Sequence, residues 1–161
     1  MKKIISILFM FIFLNQCSGY KPIFASSDVQ FKISDYHITG NKMLGNKVFS
    51  RLNSISRFNK NNDSIKSVEI FLDVKKSKNS TSIDSSGKTI EYKISLSAEV
   101  EVKDFLNEEN ILKQNFTSSL SYKIQEQYSD TLKQEQITTD NLINNLSQDI
   151  LINLSKNISS Q

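Results

Sequence analysis

Over residues 92–102 the chain alternates strictly. Tyr92, Ile94, Leu96, Ala98, Val100 and Val102 are apolar, and Lys93, Ser95, Ser97, Glu99 and Glu101 stand between them. A period of two predicts a strand with one buried and one wet face. After the polar segment 107–110 the pattern resumes, with Phe116, Ser118, Leu120, Tyr122 and Ile124 on one side and Thr117, Ser119, Ser121 and Lys123 on the other. The two runs predict a long antiparallel pair. A two-stranded ribbon leaves both faces open to water, so the rest of the chain has to supply a covering layer.

Earlier in the chain, Val29, Phe31 and Ile33 alternate with Gln30, Lys32 and Ser34, and a first strand continues less regularly through Tyr36 and Ile38 until Thr39-Gly40-Asn41 breaks it. Over 42–58, Leu44, Val48, Leu52 and Ile55 recur at spacings of four and three, which predicts a helix capped by Asn41. Gly45 inside it is unfavourable by about 1 kcal/mol against alanine. A polar run, 59–64, ends this unit. Val68, Ile70, Leu72 and Val74 then define another strand, with Phe71 on its polar side. The Ser-, Lys- and Asn-rich stretch 76–88 reads equally as a loop or as the tips of two strands. Finally Leu132, Leu142, Ile143, Leu146, Ile150, Leu154 and Ile158 form a broad helical stripe starting near Ser129 or Thr131, with Ile137 off it. Its many Asn, Ser and Thr residues are poor helix formers, so packing has to hold it. The order βαβββα predicts an α+β two-layer sandwich: a roughly four-stranded, mainly antiparallel sheet with two helices on one face.

The first residues have a different character. Lys2 and Lys3 precede an uncharged apolar run, 4–14, too short to span a bilayer, and Asn15, Gln16 and Cys17 follow at once. This is the layout of an export signal, giving a signal peptide over 1–16, a tether over 17–28 and one domain over 29–161. Cys17 is the only cysteine, so in an exported chain it is paired between chains, free, or modified. With Leu14 three residues ahead, its position is that of a bacterial lipoprotein's acylated cysteine, which anchors by burial of about 0.8 kcal/mol per CH₂.

Export also changes the charge argument. Of 20 basic residues Lys2 and Lys3 lie in the signal, leaving 18 against 17 acidic, so no net positive field speaks for nucleic acid. The chain has 161 residues with 38% hydrophobic and 23% charged side chains, as an ordinary globular domain does. Catalytic patterns are missing: there is no phosphate loop, dinucleotide fingerprint or nucleophile elbow. His37 is the single histidine, without ligand-spaced cysteines or carboxylates in the sequence, and reads as a partly exposed strand residue. Glu108-Glu109 reads as a polar turn. No cofactor is indicated. Two basic groups remain, Lys75, Lys76 and Lys78 at a strand end, and Lys88, Lys93 and Lys123 on or near the wet side of the strand pair. They serve either solubility or an anionic partner such as a lipid phosphate.

Cys17, the segment Gly19-Tyr20-Lys21-Pro22-Ile23-Phe24, the strand ending Ser121-Tyr122 with Tyr128 after it, and the C-terminal helix together resemble the alphaproteobacterial form of the lipopolysaccharide-assembly lipoprotein family LptE. Ser18 between Cys17 and Gly19, and Gln16 before the cysteine, depart from that family's pattern. The resemblance implies a small sheet packed on two helices. It also implies residence at the inner side of the outer membrane through a lipid anchor, insertion as a plug into the barrel LptD, help in assembling that barrel, and binding of lipopolysaccharide on its way to the surface. It fixes none of the lysines above as ligand contacts. Two other classes fit the same layout: an auxiliary or pilot lipoprotein of a transporter or secretin without lipopolysaccharide binding, and a soluble periplasmic ligand-binding protein, which would need a sizeable apolar pocket.

Overall fold

The computed structural model describes residues 31–56 and 65–160. The expected signal, Cys17, the tether, the start of the first strand at Val29 and the polar run 59–64 lie outside the described residues. The elements are β1 (Phe31–Gly40), α1 (Lys42–Ser56), β2 (Lys66–Ile83), β3 (Thr89–Asp104), β4 (Asn110–Lys123) and α2 (Tyr128–Ser159). This is the expected βαβββα order. The strands form one four-stranded sheet in the order β1-β2-β3-β4. β2–β3 and β3–β4 pair antiparallel, whereas β1 lies parallel to β2, because α1 carries the chain back to the end of the sheet from which β1 started.

The core is the face that the alternation defines. Val68, Ile70, Leu72 and Val74 of β2 and Ile94, Leu96, Ala98, Val100 and Val102 of β3 are at most 1% exposed. Leu44, Val48 and Leu52 of α1 cover the β1–β2 half, and Leu142, Leu146, Ile150 and Leu154 of α2, four residues apart, cover the β3–β4 half. Both helices therefore sit on one face, leaving the other to solvent. Asn41 accepts the Leu44 N–H at 3.1 Å, the cap expected from the sequence.

The irregularity of the first strand has a definite cause. The β1–β2 register slips between Ile33 and Asp35, so Phe31 and Ile33 point to the core before the bulge and Tyr36 and Ile38 after it. Tyr36 stacks on Phe49 of α1 at 3.8 Å between ring centroids. The polar stretch 76–88 consists of strand tips: β2 runs to Ile83 and β3 resumes at Thr89, joined by a turn that Asp84 ties by accepting the Ser86 and Lys88 N–H groups at 2.8 and 3.0 Å. Gly87, at φ +84°, supplies the left-handed position this turn needs.

Leu132 is a correction to the expected stripe. It is 48% exposed, because the sheet beneath the first turns of α2 is no longer apolar: after Val74, the inward positions of β2 are Lys76 and Lys78.

Gly45 is explained by close packing. A β-carbon there would collide with Cγ2 of Ile38, a stiff β-branched group, so helix α1 lies against β1 only because this position has no side chain. Gly45→Ala should gain helix propensity yet lower stability by about 1–2 kcal/mol through overpacking, read as a lower denaturant midpoint with unchanged slope.

Candidate functional site

The change from apolar to charged along the inner face of β2 creates the most organised polar cluster in the described residues. Lys76 and Lys78 point towards the helices and meet Glu135 of α2: Lys76 Nζ lies 3.1 Å from Oε1 and Lys78 Nζ 2.6 Å from Oε2. Tyr122 of β4 donates its hydroxyl to the same Oε2 at 3.0 Å. The Lys78 ammonium also lies over the Tyr92 ring at 4.3 Å, and Lys76 reaches the Thr139 hydroxyl at 3.4 Å. Two strands and a helix are thus pinned through one carboxylate, and Lys78 extends the contact to Tyr92 of a third strand.

The electrostatics follow from this arrangement. The Lys78 hydrogen bond, followed by those from Lys76 and Tyr122, holds Glu135 at about 2 against the pull of burial. Burial acts to lower the Lys78 pKa, but the hydrogen bonds to Glu135 and Tyr122 together outweigh it, and the net shift is upward. Burial also raises the Tyr122 phenol. The cluster is a set of charge-assisted bonds centred on the Glu135 carboxylate.

The outer face carries the other lysines in ladders of alternating sign. Lys75 pairs with Asp73 at 2.9 Å, and Lys113 and Lys103 flank Glu101 at 3.0 and 3.5 Å. Lys93 and Lys123 stand on this face and make no ion pair among the described residues; Lys123 is opposite Glu91 in register. Lys88 lies in the β2–β3 turn. The six candidate lysines therefore do not form one patch. Lys76 and Lys78 are on the helix side and engaged, and Lys75, Lys93 and Lys123 are on the sheet side, with Lys88 at the tip.

His37 is less isolated than the sequence indicates. The β1 bulge turns Asp35 and His37 to the outer face beside Glu69, with Nε2 at 2.9 Å from Glu69 and 4.0 Å from Asp35. The ring also stacks on Phe71 at 4.9 Å. These three donors lie within 4.8 Å of one another, close enough to share a cation. However, Asp35 and His37 are each 54% exposed, and the hydrogen bond to Glu69 already uses the ring nitrogen. Sequence spacing shows Asp35 and His37 two apart but not Glu69, which only the parallel pairing brings in. Between α1 and α2 an open groove of about 410 Å³ is lined by Met43, Leu132, Lys76 and Glu135. A second groove alongside, of about 500 Å³, is crossed by the Lys47–Asp140 pair at 2.9 Å. Neither groove is an enclosed apolar pocket.

The sequence pattern of the LptE lipopolysaccharide-assembly family matches residues 33–154, from Ile33 in β1 through β4 and most of α2. The chain belongs to the LptE family. Solved structures similar to it include a chain described as a lipoprotein from Caulobacter crescentus (13% identity, 84% of this chain and 95% of that one, TM-score 0.58). A minor lipoprotein from Acinetobacter baumannii (16%, 80% and 93%, TM-score 0.55) and rare lipoprotein B from Shewanella oneidensis (14%, 78% and 97%, TM-score 0.54) also match. At these identities the similarity shows the LptE-like fold alone. No curated protein matches the chain. No helix among the described residues is long and apolar enough to cross a membrane.

The depressed Glu135 pKa makes acid sensitivity a test of the cluster. Its stabilisation is fully present above the unfolded value near 4.5 and is lost as pH falls from there towards the folded value of about 2. Between those limits the protein should lose about 2 kcal/mol, after allowance for screening, that Glu135→Gln does not lose. Thermal unfolding of both proteins across this range measures the difference.

Proposed function

We propose that this LptE-family chain is an outer-membrane lipoprotein that plugs and helps assemble an LptD-like barrel and assists lipopolysaccharide transport to the cell surface. The observation that carries this reading is the family match over residues 33–154 of the two-layer domain. In this reading residues 1–16 are the export signal, Cys17 is acylated, 17–28 is the tether, and the domain is held at the periplasmic face of the outer membrane. The role is non-catalytic and needs no cofactor.

The outer sheet face supports it physically. Its Ser, Thr, Lys and Glu side chains suit the polar, water-lined interior of a barrel, where no apolar contact surface is required. Lys75, Lys93 and Lys123 share that face, and Lys88 lies at the tip, so these four are the proposed contacts for lipopolysaccharide phosphates. Lys76 and Lys78 are weaker candidates, since a phosphate would have to displace Glu135.

The test is affinity capture of the full-length protein from native membranes after mild crosslinking, with mass spectrometry of the captured chains and of the Cys17 peptide. An LptD-like barrel and a diacylated Cys17 are expected. A transporter or secretin in its place would move the chain to the auxiliary or pilot class. A combined Lys75→Ala, Lys93→Ala, Lys123→Ala variant should bind lipopolysaccharide roughly tenfold more weakly in a titration, a change of about 1.4 kcal/mol, with unfolding unchanged.

A further inference from the structure

The bulge in β1 reverses the phase of the strand, so that Asp35 and His37 turn outward together. The parallel pairing then sets Asp35 directly opposite Glu69 and His37 directly opposite Phe71. Two carboxylates facing each other across strands repel unless a positive charge joins them. Lys103, the residue opposite Glu69 on β3, turns its ammonium instead to Glu101 at 3.5 Å and over the Phe71 ring at 5.1 Å. What the two carboxylates share is the imidazole: His37 Nε2 lies 2.9 Å from Glu69 Oε1 and 4.0 Å from Asp35 Oδ2. The group is also held from outside. Asp35 Oδ1 accepts the Tyr36 N–H at 2.7 Å, which leaves Oδ2 turned towards the ring. The ring itself lies flat on Phe71, with 4.9 Å between centroids and 18° between planes. Phe71 is the apolar residue on the polar side of β2, and this stacking gives it a role.

We propose that Asp35 Oδ2, His37 Nε2 and a Glu69 carboxylate oxygen form a surface binding site for a zinc ion. Bonds of about 2.0–2.2 Å to nitrogen and oxygen place the ligand atoms of a tetrahedral zinc about 3.3 Å apart. The three donors already lie within 4.8 Å of one another, and the 2.9 and 4.0 Å separations fall on either side of that spacing. Rotation of the two carboxylate side chains closes the site. The donor set selects the ion. An imidazole nitrogen suits zinc and its transition-metal neighbours, whereas magnesium and calcium take oxygen ligands. The exposure of Asp35 and His37 fits a site on the sheet surface, where water fills the fourth position. The hydrogen bond that now engages Nε2 is exposed, and the imidazole binds metal as its other tautomer, with the proton on Nδ1. A bound ion replaces carboxylate repulsion across the β1–β2 pair with two bonds to one centre, and so clamps the edge strand just beyond its bulge. The site depends on no part of the plug reading.

The test titrates zinc chloride into the full-length protein in detergent, purified without a polyhistidine tag. Calorimetry reads stoichiometry and affinity, and nitrogen-resolved NMR reads the imidazole. His37 is the only histidine in the chain, so its ring signals are unambiguous. The expected result is a single ion per chain, with the ring proton moving from Nε2 to Nδ1 and an unfolding midpoint that rises with zinc concentration. His37→Gln, Asp35→Asn and Glu69→Gln should each weaken zinc binding about tenfold or more, with circular dichroism as in the unsubstituted chain. Saturation only at millimolar zinc, or a ring proton that stays on Nε2, overturns the proposal. So does undiminished binding in the His37→Gln and Glu69→Gln variants, which places the ion elsewhere, and so does calcium binding as tightly as zinc.

Discussion

Burial of one face of β2 and β3 is the constraint on which the structure depends. Val68 to Val74 and Ile94 to Val102 supply a continuous apolar surface at alternate positions, and every inward side chain along it is essentially sealed from water. Each such residue contributes about 1.5–3 kcal/mol only when covered. The two helices are therefore obligatory parts of the fold, and neither has the propensity to stand alone: α1 carries Gly45 and α2 is rich in Asn, Ser and Thr. The sheet orders the helices, and the helices make the sheet's inner face an interior.

That apolar surface ends abruptly at Val74, and the architecture changes with it. Beyond this point the inward side chains of β2 are Lys76 and Lys78, and the part of α2 above them offers Glu135 and Thr139 in place of the leucines further along. The long helix is thus held by hydrophobic contact over its C-terminal half and by a four-residue polar cluster near its start. Exchanging the two halves would bury lysine against leucine. The switch fixes the register of α2 on the sheet, because Glu135 meets its partners at only one position along the helix. Leu132 and Met43 are left to line a groove there because no apolar strand surface remains to receive them.

The outer face and the edges are what remain for partners. Its charges pair within a strand at Lys75–Asp73 and across strands at Lys113–Glu101, so the face is hydrophilic without a strong field of one sign. An LptE-family protein built in this way presents a wet sheet, a blunted edge at β1 and an unblunted one at β4.

Much of this was legible from residue order. Strict alternation over 92–102 and 68–74, the spacings of Leu44, Val48 and Leu52 and of Leu142, Leu146, Ile150 and Leu154, and the cap at Asn41 depend on neighbours close in the chain. They determined the elements, their order and the two-layer class. What the tertiary structure decided involves pairs far apart. The parallel placement of β1, the bulge that turns Asp35 and His37 towards Glu69, the need for glycine at position 45 beneath Ile38, and the meeting of Lys76, Lys78 and Tyr122 on Glu135 have no local signature. A run of lysines at a strand end looks alike whether it faces solvent or a helix. The side each lysine takes is set by strand phase, but what it meets there is set by packing, and packing set two of the six candidate lysines, Lys76 and Lys78, against Glu135.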